Sequence, residues 1–198
     1  MLFGLVGKSR SGKTTASLLL QDILGHDTEA QELSAPLKNI CNIMFGIPMD
    51  LMNSQDGKEM TDHEQKMTVR EIMQTMGDMF DNHFRTYFPN TSPNDPIWVR
   101  QGNMLQLNEL KEQKRNTVIS GIRTKDQVEW VLRAGGVVLY VERDVPPGET
   151  HSGLHHSTET GMDALKPLCH EVLENNGTTD DLLSKLIAVV KKYSTPLN

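Results

Sequence analysis

Gly7-Lys8-Ser9-Arg10-Ser11-Gly12-Lys13-Thr14 follows the apolar run Leu2-Phe3-Gly4-Leu5-Val6 and precedes Thr15-Ala16-Ser17-Leu18-Leu19-Leu20. The eight residues fit G-x-x-x-x-G-K-[S/T], the phosphate-cradling P-loop, in the strand–loop–helix context that gives the motif its meaning. Successive backbone N–H groups must turn inward around phosphate oxygens, and the glycines permit both the backbone angles and the close approach. Lys13 then reaches the β- and γ-phosphates, and the Thr14 hydroxyl is available to Mg²⁺. The start of the following helix adds a favourable dipole for an anion. The expectation is a nucleoside triphosphate site formed by Gly7, Lys8, Ser9, Arg10, Ser11, Gly12, Lys13, Thr14 and Thr15.

Outward from this stretch, the chain alternates. Short apolar runs that read as strands fall at 2–6, about 30–34, 117–121, 137–141 and about 171–174. Those at 2–6, 117–121 and 137–141 are rich in Val, Ile and Leu without polar alternation, as in strands covered on both faces. Helical spacing marks 13–24, 36–45, 67–80, about 97–114, 125–134 and 179–192. Gly135-Gly136 ends one helix before the next strand. This alternation predicts an α/β fold of three layers, a five-stranded parallel sheet with helices on both faces. Polar or turn-rich stretches at 50–64, 89–96 and 144–163 interrupt the pattern. The last holds two prolines, three glycines and three histidines; that length and polarity suit a lid or binding loop.

With 198 residues the chain suits a single domain, 1–198. Lys plus Arg number 20 against 26 Asp plus Glu, a formal charge of −6. That balance argues against nucleic acid as a partner, which requires a dense basic surface. No run approaches a membrane span, and the first apolar run is too short for a signal peptide. The two cysteines, Cys41 and Cys169, lie far apart and form no CxxC. A cytoplasmic protein without membrane partner is the expectation.

A P-loop does not choose a reaction. No Asn-Lys-x-Asp guanine-reading motif is present, and the run 117–121 leads into Ile122-Arg123 without the acidic pair of larger ATPases. A kinase of a nucleotide or metabolite is favoured. Phosphoryl transfer brings anionic oxygens together in line, so the residues of interest are cations converging on one cleft. Arg123 lies just past a buried strand, at the carboxyl edge where open α/β sheets bind ligands. Arg70 and Gln74, four apart, share a helix face; an Arg can fork onto a phosphate and a Gln amide can address a base edge. Taken alone they equally describe a solvated helix face, and Lys38 a surface lysine. Arg10 has few structural reasons to sit inside the loop. Arg143 opens the polar stretch 144–163, or belongs to a local charge cluster with Glu142 and Asp144. His151, His155 and His156 lack the accompanying carboxylate pattern of a zinc site. The methionines between 44 and 79 suit core packing or an adaptable cleft. Trp98 and Trp130 read as packing anchors, Trp98 also as a base-stacking candidate.

In these motifs the sequence resembles the phage-type deoxynucleoside monophosphate kinases over most of its length. The resemblance rests on Arg10-Ser11-Gly12-Lys13, Ser34-Ala35-Pro36-Leu37-Lys38 and Val69-Arg70-Glu71-Ile72-Met73-Gln74-Thr75-Met76-Gly77. It continues through Ile119–Arg123 with Gly135-Gly136-Val137, His156-Ser157-Thr158-Glu159, and Asn175-Asn176-Gly177-Thr178. It implies a P-loop kinase fold with a helical acceptor-binding insertion at about 36–114 and a lid at about 144–163. It further implies transfer of the γ-phosphoryl of ATP, with Mg²⁺, to a deoxynucleoside monophosphate, with small nucleotides as the partners; a homodimer stays open. Catalytic roles would fall to Lys13, Arg10, Arg123 and Arg143, and acceptor binding to Lys38, Arg70, Gln74, Arg123, His156 and Glu159. Many members carry Asp where this chain has Thr14 and Gly121. Thr14 restores a metal-binding hydroxyl; Gly121 removes an acid. The alternatives are a kinase of another phosphate acceptor, such as dephospho-coenzyme A, and a nucleotide-binding regulatory module weakened in catalysis.

Overall fold

The computed structural model describes residues 1–80, 115–144 and 160–194. The strands β1 (Leu2–Val6), β2 (Glu29–Glu32), β5 (Thr117–Ile122), β6 (Val137–Glu142) and β7 (Glu171–Glu174) form one sheet in the order β2-β5-β1-β6-β7. Every neighbouring pair is parallel. β1 lies at the centre and all five of its residues are buried, which explains its unbroken apolar run. Its alternate side chains serve two cores. Phe3 and Leu5 pack with Ala16, Leu20, Leu182 and Leu186 from helices α1 (Lys13–Leu24) and α7 (Thr179–Ser194). Leu2 and Val6 pack with Val128, Trp130 and Val131 of α6 (Lys125–Arg133), and with Met162 and Leu165 of a 3₁₀ helix, Met162–Leu168. The expected three layers and five parallel strands are present. The carboxyl ends of all five strands point the same way, toward the loops that carry the candidate residues.

The edge strand β2, Glu-Ala-Gln-Glu, is not apolar, and it begins one residue earlier than its sequence suggests. Among the described residues it pairs only with β5, so one side of its backbone needs no apolar neighbour.

A third core lies within the helical part. α2 (Ala35–Phe45), α3 (Met49–Asn53) and α5 (Val69–Met79) enclose Leu37, Cys41, Ile47, Met52, Val69, Ile72 and Met76. Met52 and Met76 are thus core packing, whereas Met44, Met60 and Met79 are exposed. The polar stretch 50–64, expected as a break, is instead folded into α3, α4 (Gln55–Glu59) and a two-strand hairpin. That hairpin pairs β3 (Thr61–Asp62) with β4 (Met67–Thr68). Helices of five residues complete too few turns to show a periodicity. The expected helix 67–80 starts at Val69 because Thr68 caps it: its hydroxyl accepts from the Glu71 amide at 3.2 Å. Glu71 in turn accepts from the Thr68 amide at 2.8 Å. The expected helix 97–114, and Trp98 within it, lie outside the described residues, as does 145–159 of the expected lid with His151, His155, His156 and Glu159. The far end of that stretch is described, and Met162 there has no solvent exposure. Among the described residues no helix is long and apolar enough to cross a membrane.

Candidate functional site

The loop between β1 and α1 is shaped by its own backbone. Gly12 has φ +99 and Arg10, unusually for a residue with a side chain, φ +63. The Ser11 amide donates to the Lys8 carbonyl at 3.2 Å and closes the turn. A Cβ on Gly12 would lie 2.2 Å from Nδ2 of Asn175, so glycine is required there for close approach as well as for its backbone angle. That Asn175 amide donates to the Ser11 carbonyl at 2.9 Å. The chain after β7 therefore clamps the loop from the far end of the sequence. Asn176 continues the clamp, accepting from the Asp144 amide and donating to its carboxylate, both at 2.8 Å.

Lys13 is folded over the loop, donating to the Lys8 carbonyl at 2.5 Å with Ser11 Oγ at 3.5 Å. Thr14 and Thr15 are exposed at the start of α1. Ser9, Arg10, Gly12, Lys13, Thr14 and Thr15 line a cleft of about 870 Å³. Gly7 and Ser11 are buried beneath the loop. Lys8 turns elsewhere, to Asp163 at 2.6 Å. Hydrogen bonding from Lys8 above all holds the Asp163 carboxyl below its ordinary range, and Asp163 also accepts from the Tyr140 hydroxyl at 3.2 Å.

The other end of the same cleft is cationic. Lys38, Arg70 and Arg123 line it together with Gln74, and Arg143 lines it too. Each position has a local cause. Pro36 opens α2 and places Lys38 in its first turn, and the capping box of α5 sets Arg70 in the first turn of that helix. Gln127 accepts from the Arg123 amide at 2.7 Å and the Thr124 amide at 3.3 Å, which fixes the backbone that presents Arg123. Lys38 and Arg70 are held by neighbouring side chains. Lys38, with its side chain 4% exposed, donates to Glu32 at 2.5 Å and to Asn53 at 2.8 Å. Arg70, 7% exposed, donates to Glu59 at 2.7 Å and Gln55 at 3.2 Å.

Two charged residues of this end escaped the sequence reading. Glu32 ends β2, with Ser34 donating to it at 2.5 Å. Burial would raise its carboxyl, but the Lys38 ammonium and the hydrogen bonds from Lys38 and Ser34 hold it below the ordinary range. Lys58, on α4, lines the cleft beside Lys38 and Arg70. Burial, and then the charge of Lys38, lower its ammonium to about 8. No motif marks either residue. The nearest signal was the acid expected at position 121. There β5 is irregular: Gly4 pairs with Ile119 but Val6 with Ile122, and Gly121 takes φ +80 in the resulting bulge. A Cβ at 121 would stand 3.5 Å from Cγ of Glu32. A carboxylate from β2 thus occupies the neighbourhood of the absent one. Cys41 and Cys169 are not among the residues lining the cleft, and burial raises each thiol to about 11.

The chain can be compared with known proteins on this geometry. A protein of Acanthamoeba polyphaga mimivirus, provisionally named a deoxynucleotide monophosphate kinase, is 28% identical over 202 residues. The match covers 98% of each chain. Among solved structures, dephospho-CoA kinase from Campylobacter jejuni superposes with a TM-score of 0.53 at 11% identity, over 98% of this chain and 96% of that one. Shikimate kinase from Aquifex aeolicus gives 0.51 at 10% identity, over 98% of both chains. At such identities these two show a shared fold, the P-loop kinase fold, and nothing about substrate. Residues 47–186 match the deoxynucleotide monophosphate kinase family. That span takes in Lys58, Arg70, Arg123 and the Asn175 clamp, and the chain belongs to that family of kinases.

Proposed function

We propose that the protein transfers the γ-phosphoryl of ATP, with Mg²⁺, to the phosphate of a deoxynucleoside monophosphate, ATP lying on the P-loop and the acceptor on the cationic end. One observation carries this assignment of ends. A single cleft of about 870 Å³ joins the P-loop residues to Lys38, Arg70, Gln74 and Arg123, so donor and acceptor phosphates can approach in line without leaving the protein. Acceptor oxygens are already anionic, so no protein base of high strength is required. The chain's task is to orient two polyanions and neutralise them. Lys13 exchanges the Lys8 carbonyl for phosphate oxygens. Arg10 and Arg143 also line the cleft, and this reading gives them the charge that develops during transfer.

Mg²⁺ of this kind takes one or two protein oxygens and completes its shell with phosphates and water. Thr14 suits that demand, with an exposed hydroxyl on the cleft wall at the start of α1. The ion, when bound, would neutralise charge on the β- and γ-phosphates. His156 and Glu159 remain candidates for contact with the acceptor by family resemblance, and small nucleotides are the partners this reading requires.

The decisive assay couples ADP release to each deoxynucleoside monophosphate, to dephospho-coenzyme A, and to no acceptor. Turnover with at least one deoxynucleoside monophosphate, well above the acceptor-free rate, is expected. Turnover confined to dephospho-coenzyme A, or ATP binding without any acceptor-dependent turnover, would overturn the reading.

A further inference from the structure

We propose that the Lys58 ammonium, on the short helix α4, is a contact for the acceptor's phosphate. The inference deepens the assignment of the cationic end to the acceptor and rests on it. Lys38 is committed to Glu32 and Asn53, and Arg70 to Glu59 and Gln55. The Lys58 ammonium makes no hydrogen bond or ion pair among the described residues, yet lines the cleft and is only partly exposed.

Its placement is imposed from both sides. Gln55 and Glu59, one helical turn apart, are both held by Arg70. Ser54 caps α4 by accepting from the Gly57 amide at 3.0 Å. A Cβ on Gly57 would fall 2.5 Å from the Leu51 backbone, so α4 is pressed against α3. Lys58 has little freedom to move away with its helix.

Among the described residues, Lys38 from α2, Arg70 from α5 and Arg123 after β5 repel it, and Glu32 from β2 attracts it. Among the charges acting on Lys58 these cations outnumber the carboxylate, and a surround of that sign suits a phosphate monoester dianion. An anion that relieves such repulsion binds more tightly than one meeting neutralised cations.

Proton exchange distinguishes this arrangement from a bystander lysine. Burial and the neighbouring cations lower Lys58 to about 8, so at pH 8 about half of the free protein lacks that proton. A dianion seated on the group restores it. A phosphate monoester itself, with a second pKa of about 6, exchanges almost none at this pH.

The test is calorimetric titration of a deoxynucleoside monophosphate into the full chain at pH 8, in two buffers of different ionisation enthalpy. The arms are wild type, Lys58→Met, Lys58→Arg and Arg123→Ala, each also titrated with ATP. Wild type should take up about half a proton per monophosphate. Lys58→Met should take up none and bind the monophosphate roughly tenfold to a hundredfold more weakly, the range for a charge-assisted bond. Its ATP affinity should hold. Lys58→Arg should retain monophosphate affinity without the uptake. Lys58→Met relieves repulsion, so its free form should melt no lower than wild type. If wild type binds without proton uptake, or Lys58→Met binds as wild type while Arg123→Ala is weakened, Lys58 is a bystander and the acceptor end stands. If neither variant weakens the monophosphate and both weaken ATP, the assignment of the ends fails and the proposal with it.

Discussion

Before nucleotide arrives, Lys13 is satisfied by the carbonyl of Lys8 at 2.5 Å, within the loop it is to serve. Its removal therefore takes little from the fold and much from the transferring charge. Lys13→Ala should lower turnover by about two orders of magnitude or more, with the ligand-free melting temperature nearly unchanged. Near-normal turnover in a steady-state assay would remove the P-loop from the mechanism. Lys58 behaves in the opposite sense. Its folded value of about 8 lies below its ordinary 10.5, so between those pH values the unfolded chain holds a proton that the folded chain has released. Stability contributed by this group must rise with pH across that window and be flat below it. Wild type minus Lys58→Met, measured by denaturant unfolding from pH 7 to 10.5, should show that rise; a pH-independent difference would contradict the lowered value. Gly121 is the third residue whose role is set by its neighbours. Its φ of +80 makes Gly121→Asp strained by about 1 kcal/mol or more, and Glu32 already stands nearby. The substitution should lower the melting temperature without raising turnover.

At the scale of elements, the P-loop is held not by its own helix alone but by the segment that follows β7. Asn175→Ala would leave the Ser11 carbonyl without that donor, at a cost of about 1 kcal/mol, and would release the loop beside Gly12. The Michaelis constant for ATP should rise severalfold while that for the monophosphate stays put; an equal rise in both would mean that the clamp serves the whole cleft. This clamp shows where sequence reading reaches its limit. Asn175 was visible as part of a motif, but the contact it makes with Ser11 spans 164 positions, and no local pattern encodes such a meeting. β1, the loop and α1 were legible because buried runs and the glycine spacing are local properties. β2 was nearly illegible because an edge strand needs no apolar pattern. α3 and α4 are each too short for a period, so the polar letters around Lys58 read as loop. Arg123 was legible by position, past a buried strand, whereas Gln127, which fixes its backbone, looked like any polar residue in a first helical turn. Charge partners followed the same rule: Lys38 and Arg70 could be nominated from motifs, but Glu32 and Glu59 meet them only in the fold.

The molecule as a whole divides its apolar burial in a way that separates the two ends of the cleft. The P-loop grows from β1 and α1, whose side chains belong to the core shared with α7. Lys38 and Arg70 grow from α2 and α5, and with α3 these helices surround a core of their own. A cavity in either core costs stability, but only the helical core underlies Lys38 and Arg70, the residues proposed to hold the acceptor. Met52 is fully buried in the helical core and Leu186 fully buried in the sheet core; truncation of either to Ala should cost about 2–5 kcal/mol. Close packing transmits strain over short distances, so the functional effects should differ although the stability losses are alike. Met52→Ala should loosen the packing beneath α2 and α5 and raise the Michaelis constant for the monophosphate more than that for ATP. Leu186→Ala should leave the ratio of the two constants near its wild-type value. Both constants are to be measured well below each variant's melting temperature, where the folded fraction is close to one. If Met52→Ala shifts both constants equally, the helical core does not position the acceptor end separately, and the two ends of the cleft respond as one body.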